Sequence, residues 1–311
     1  MSSQITAAFV RQFGNNVMHL VQQKGSRLKP YVRNESLKGE SGFFERIGAS
    51  GPAAKKTSRH GDTPLTDTPH SRRMVIGSTY HHADMVDNDD KLKMLIDPTS
   101  DYVMSFMWML GRSVDDEIIT AADGVALTGK LGDGTQSHGN AFKFGSVNAA
   151  ADSVAGLNVE LLRRLSKALN KSEVEENDRY AAIDADGLED LLAETEVSSS
   201  DYNIVKALVR GDVQSFMGFT FVRTERIGTQ GAALSYSYVN GTVGSGSGEA
   251  NGHSKGLFWQ KQGLILATNQ EPFAKVAERP DKNHGMQAYV EMTCGAVRME
   301  EERVLVGFYD V

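Results

Sequence analysis

The order of apolar and polar positions changes character several times along the chain, and each change predicts a different element. Near the N-terminus Ile5, Phe9, Phe13, Val17, Leu20 and Val21 recur at three- and four-residue steps. That spacing predicts an amphipathic helix over 4–24, capped by Ser2 or Ser3 and stopped by Gly25. It serves equally as a helix packed on its own domain or as an arm reaching a partner. From about 30 to 86 the pattern shortens to extended pieces: YVRNESLKG, SGFFERIG and RMVIGSTYHHADMV. Between the last two lies ASGPAAKKTSRHGDTPLTDTPH, rich in Gly, Pro, Ser, Thr and charge. A loop of that length inside a domain is generally functional or disordered. Flanked by strands, it predicts a long projecting hairpin, which needs a surface to lie on because an isolated hairpin is barely stable.

The strongest helical signal follows. Asp97-Pro98 suits a helix start, and Val103, Phe106, Met107, Leu110, Val114, Ile118 and Ala121 form one stripe over 98–122 before Gly124. At 1.5 Å per residue this is a rod on the order of 35 Å long. Residues 125–155 read as turns and short strands. Further helices are predicted at 158–170, 187–195 and 200–210, with strands at RYAAID and MGFTFVRTERI. Residues 240–256 read as a flexible glycine-rich loop. The tail returns to strand pattern in GLILAT, FAKVAE, MQAYVEMTCGAVRM and RVLVGFYDV, the last pair turned by Glu300-Glu301-Glu302. No 20–50-residue period repeats, which excludes a solenoid.

Composition narrows the class. The 311 residues include 40% apolar residues, 31 glycines and 23% charged residues, a globular rather than disordered balance. That length suits one large domain or two modest ones. A single cysteine, Cys294, excludes an intramolecular disulfide and a cysteine-based zinc site, and suggests a reducing compartment. No apolar run approaches a transmembrane span, and the first residues lack the layout of a secretion signal. The net charge of −7 conceals an asymmetry: residues 1–75 hold twelve Lys/Arg against five acids, a surplus of seven, so residues 76–311 carry −14. Such a split fits a nucleic-acid arm, or a basic part of one subunit lying on an acidic part of its neighbour.

Candidate chemistry is sparse. GSGSGE at 244–249 lacks the lysine of a P-loop and the spacing of a dinucleotide motif, so it reads as a flexible loop. Tyr80-His81-His82-Ala83-Asp84, with Asp87, Asp89 and Asp90, gathers metal-capable groups. Adjacent histidines on a strand face opposite sides, leaving His82 and Asp84 as two ligands on one face, too few for a site. Cys294 reads as a buried, inert thiol. No G-x-S-x-G elbow occurs, and no acidic pair has a setting for matched acid and base roles. Lys55, Lys56 and Arg59 on the long loop are either solvated or paired with an acidic neighbour.

In this order the parts resemble a known family. FGNNVMHLVQQKGSRLKPYVRNE, HGDTPLTDTPHSRR, MGFTFVRTERI and GMQAYVEMTCGAVRMEEERVLVGFY resemble the major capsid proteins of tailed bacteriophages, in their podovirus-type branch. The resemblance spans essentially the whole chain and implies an α+β fold of the type named after phage Hong Kong 97. It implies an N-terminal arm (1–30), an extended two-stranded loop (31–86) and a peripheral domain (87–134) with a spine helix at 98–122. An axial domain (135–255) and a return to the peripheral domain (256–311) complete it. It further implies hexamers and pentamers of an icosahedral shell around double-stranded DNA, assembled in the bacterial host cytoplasm. Scaffolding and portal proteins are the implied partners, and a cement protein is compatible with them, with neither membrane, cofactor, metal nor catalytic residue. Some relatives crosslink a loop lysine to a neighbour's asparagine; no motif here marks Lys55 or Lys56 for that. Arg46, Lys55, Lys56, Arg59, Arg72 and Arg73 are the expected inter-subunit contacts. Two other readings stand beside it: an encapsulin-type nanocompartment shell, and a metal-dependent enzyme using His82 and Asp84.

Overall fold

The computed structural model describes residues 22–53, 55–56, 59, 65, 67–86, 99–145, 147–148, 153–154, 156–193, 215–227, 236–239, 242–245 and 253–310. Most of the expected 4–24 helix, the expected 200–210 helix, and Asp87, Asp89 and Asp90 lie outside them. Strands β1 (Arg33–Ser36), β2 (Ser41–Ile47), β3 (His70–Ile76) and β4 (Ser78–Val86) come first, followed by helix α1 (Thr99–Asp123). Short strands β5 (Ala126–Thr128), β6 (Gly134–Gln136), β7 (Lys143–Gly145), β8 (Val147–Asn148) and β9 (Ser153–Val154) precede α2 (Val159–Lys171). Then come β10 (Arg179–Ile183), α3 (Ala185–Ala193), β11 (Ser215–Phe216), β12 (Phe219–Arg223), β13 (Tyr236–Val239) and β14 (Thr242–Ser245). The chain closes with β15 (His253–Gln260), β16 (Leu264–Arg279), β17 (Gly285–Arg298) and β18 (Val304–Asp310).

Two compact units divide the chain. One holds Met1–Ser26, Thr79–Ser113 and Gln270–Thr293; the other holds Arg27–Ser78, Val114–Asn269 and Cys294–Val311. In the second unit a six-stranded sheet runs β11-β12-β10-β15-β18-β7. Helix α2 covers it for a local reason: Asn158 Oδ1 accepts the Leu161 N–H at 2.8 Å, which caps the first turn. Leu161, Leu162, Leu165 and Leu169 then fall on one stripe and bury against Ala181, Ile183, Phe219, Phe258 and Leu305. Phe219 and Phe258 meet edge to face with ring centres 5.4 Å apart.

A second core of the same unit joins Leu37, Val75, Ala126, Ile265, Ala267, Val297 and Met299, with Phe44 packed on it. It seats a four-stranded sheet, order β2-β3-β5-β6. The β2–β3 pair is antiparallel, from Ser41 opposite Ile76 to Ile47 opposite His70, so the expected hairpin has a strand-paired root. Gly295 of β17 lets β3 approach closely, since a Cβ there would lie 2.2 Å from the Ile76 carbonyl oxygen.

Three boundaries depart from the sequence reading. GLILAT and FAKVAE belong to one sixteen-residue strand, β16, despite Pro272. Only Ile265–Thr268 of that strand pair with β1, so Pro272 falls beyond β1's reach, where a missing N–H breaks no bond to it. MGFTFVRTERI stops being a strand at Arg223 and ends in a tight turn of 3-10 helix, Glu225–Ile227. Part of the expected glycine-rich loop is strand: β14 pairs with β13, Val239 opposite Thr242.

Candidate functional site at the root of the hairpin

Arg73 of β3 is 1% exposed, a burial an arginine tolerates only with its charge answered. Its Nη2 lies 2.6 Å from Glu301 Oε1, and its Nε donates to the Met299 carbonyl at 3.2 Å. Arg46 of β2 donates to the same carbonyl at 2.7 Å and to Ser71 Oγ, and lies 3.8 Å from Glu301 Oε2. Arg298, at the end of β17, places Nε 3.7 Å from Glu301 Oε1. One buried carboxylate in the β17–β18 turn is thus shared by three arginines from three strands. Burial lowers the Arg73 and Arg298 pKa values from the usual guanidinium range, and Glu301 opposes that shift.

The guanidinium of Arg298 has a second task. Its Nη1 donates to the carbonyls of Ala122 at 2.8 Å and Gly124 at 2.9 Å, where α1 runs out of intrahelical donors. The last turn of α1 holds no basic residue, so a cation from β17 supplies the charge that a helix C-terminus favours. Asp123 at that same end is answered by Lys143 Nζ at 2.7 Å, Lys255 Nζ at 3.5 Å and His138 Nδ1 at 3.6 Å. His138 Nε2 donates to the Val304 carbonyl at 2.9 Å.

Burial alone would raise the Asp123 pKa, but His138, Lys143 and Lys255 hold it well below the usual carboxylate range. A carboxyl with a depressed folded pKa contributes stability that is complete above its unfolded value, about 3.9, and is lost as pH falls through the folded one. The wild-type advantage over Asp123→Asn is therefore expected to narrow as pH drops below about 4. Urea unfolding across that range checks it, and a pH-independent difference contradicts it.

The six expected contact residues separate into two groups. Arg73 and Arg46 spend their guanidinium groups within the chain, as described. Arg72 pairs with Glu45 at 2.7 Å across β2–β3 and lies over the Phe43 ring. Lys55, Lys56 and Arg59 are exposed. Sequence reasoning missed Glu301, Arg298 and Asp115. Buried Asp115, on α1, accepts the backbone N–H groups of Arg27 and Leu28 at 3.0 Å each, and nothing in its local Asp-Asp-Glu run marks which carboxylate turns inward.

The other candidates have structural surroundings. The His82 ring meets Phe106 edge-on at 4.6 Å, and Asp84 accepts the Met85 N–H at 2.8 Å. Among the described residues no cluster of three or more His, Cys, Asp or Glu is placed to hold a metal. Nor is any described helix long and apolar enough to cross a membrane. Cys294 is buried, and burial, with a smaller push from Glu117, moves its thiol pKa up to about 11. A thiol reagent is expected to label it only as the protein unfolds; rapid labelling of folded protein contradicts that.

No curated protein sequence matches the chain. Solved structures resemble it over nearly its whole length. The capsid of cyanophage P-SCSP1u shares 16% identity at a TM-score of 0.71, covering 99% of this chain and 95% of the other. Cyanophage Pam1 capsid gives 17% and 0.71, covering 98% and 97%. The acid-stable capsid of Helicobacter pylori bacteriophage KHP30 gives 9% and 0.70, covering 100% and 98%. These likenesses establish the tailed-phage capsid fold expected from the sequence. The profile of the phage capsid protein family matches residues 5–311, and the chain therefore belongs to that family.

Proposed function

We propose that this protein is the major capsid protein of a tailed bacteriophage, assembling as hexamers and pentamers into an icosahedral shell around packaged double-stranded DNA. The observation that carries the reading is the family match across residues 5–311. In this reading residues 1–30 serve as the arm, 31–86 as the extended loop, 98–122 as the spine helix and 135–255 as the axial domain. Scaffolding and portal proteins are the partners this reading requires, and a cement protein is compatible with it. Shell formation rests on many weak contacts repeated over closed symmetry, since each exposed ion pair adds only about 0–1 kcal/mol. The chain's net charge of −7 suits a container, because strong phosphate binding would oppose packaging and release.

Purified recombinant protein is expected to form shells or capsomers in negative stain. Nuclease-resistant DNA in particles from infected cells supports the phage reading, and a specific protein cargo instead points to a nanocompartment. A compact monomer at every concentration, with scaffold supplied, overturns it.

A further inference from the structure

The hairpin root is a wall common to two grooves of opposite character. The first, about 630 Å³, runs between β2–β3 and the β5–β6 turn. It is lined by Arg46, His70, Arg72, Arg73 and Lys130, with Glu45 as its one lining carboxylate. Arg73 and Arg72 already hold carboxylates of their own chain, so the groove is built of carboxylate-binding groups. Lys130, on the exposed turn, has no ion-pair partner among the described residues. The second groove, about 490 Å³, shares Arg46 and Ser71 but is closed by Glu173, Glu300 and Glu302, with Arg303 engaged by Glu300. Its rim continues into the turn after α2, where Glu173, Glu175, Glu176 and Asp178 are all exposed. Arg179 makes no ion pair with them within 4 Å: its guanidinium is turned inward onto the carbonyls of Val174 and Glu175, and Glu176 reaches it only as a nearby charge.

We propose that the cationic groove of one copy receives the acidic turn 173–178 of a second copy. This deepens the capsid reading and rests on it. Because groove and turn are different patches of one subunit, the contact is head to tail, the kind that closes into rings when the rotation permits. Opposite charge also sets the direction of docking, since groove on groove and turn on turn repel. A protein carboxylate suits the groove better than a nucleic-acid phosphate: the chain as a whole is acidic, and the groove's own arginines are matched to carboxylates.

Two variants test this in the full-length protein. One is Lys130→Glu with Arg72→Gln; the other is Glu173→Lys with Glu176→Lys. All four sites are at the surface, and unchanged circular dichroism and melting temperature confirm folding. By sedimentation at low salt, each variant alone is expected to associate at least about tenfold more weakly than wild type. Mixing the two restores association, because each reversed surface then meets its complement. The proposal is overturned if wild type assembles and the groove variant assembles equally well. It is also overturned if both variants fail and the mixture does not recover, or if the groove variant forms shells but loses bound DNA. Failure of wild type itself to assemble counts against the capsid reading instead.

Discussion

Replacing Glu301 by alanine is expected to lower stability by about 3–5 kcal/mol, as for a buried ion pair stripped of one partner. Arg73 and Arg298 are both essentially inaccessible to solvent. With Glu301 gone, the Met299 and helix-end carbonyls still accept their hydrogen bonds but supply no negative charge. Two guanidinium groups then share a desolvated space and repel. The midpoint of urea unfolding at neutral pH reads the loss. Arg72→Ala is the control, since its partner Glu45 is exposed and such pairs contribute about 0–1 kcal/mol. Exchanging Arg73 and Glu301 together for apolar residues of similar volume is expected to lose less than the single change, because Arg298 is then the one fully buried guanidinium left without the carboxylate. A Glu301→Ala midpoint equal to that of Arg72→Ala sinks the account.

Phe258→Ala is the second large effect, at about 3–5 kcal/mol. Phe258 is fully buried at the centre of the β15 strand, edge-on to Phe219 and beneath the leucine stripe of α2. Gly256 and Gly307, cross-strand partners, have no side chain to move into the space, and a Cβ on either would already touch the ring at 3.0 Å. The cavity therefore stays open, and it loses the edge-to-face contact as well. Phe43→Ala removes an equally large ring from the outward face of β2, where it is 41% exposed. That change is expected within about 0.5 kcal/mol. Comparable losses for the two phenylalanines contradict the assignment of the core.

What the sequence made legible follows from how local each determinant is. The stripe of α1 and the leucines of α2 were readable because a helix states its buried face in every turn. The hairpin root was readable from two strand patterns flanking a polar loop. The β13–β14 pair has a local signal too, in Asn240-Gly241 between the two strands, the strongest short-range hairpin signal, but the surrounding glycines outweigh it and read as loop. The three-arginine hub was not legible. Arg73 and Glu301 are 228 positions apart, and neither Arg72-Arg73 nor Glu300-Glu301-Glu302 says which member turns inward. That choice depends on strand register: within each strand, one residue's shift exchanges the two faces. The charge asymmetry drew attention to residues 1–75, but it did not separate the arginines that hold the chain together from the cations that remain exposed.

The position of β18 in its sheet has a consequence for how the protein is made. The last strand of the chain sits between β15 and β7, and β7 pairs with nothing else in that sheet. About 160 residues are translated between β7 and β18, which takes roughly ten to thirty seconds at bacterial and eukaryotic elongation rates. Throughout that interval β7 waits unpaired, and the carboxylate of Glu301 is equally late to reach Arg73. The nascent chain therefore cannot complete its central sheet or fix its hairpin root until β18 and Glu301 have been made. Until β18 arrives, β15 and β7 each present an open strand edge, the kind of edge that pairs with a neighbouring chain.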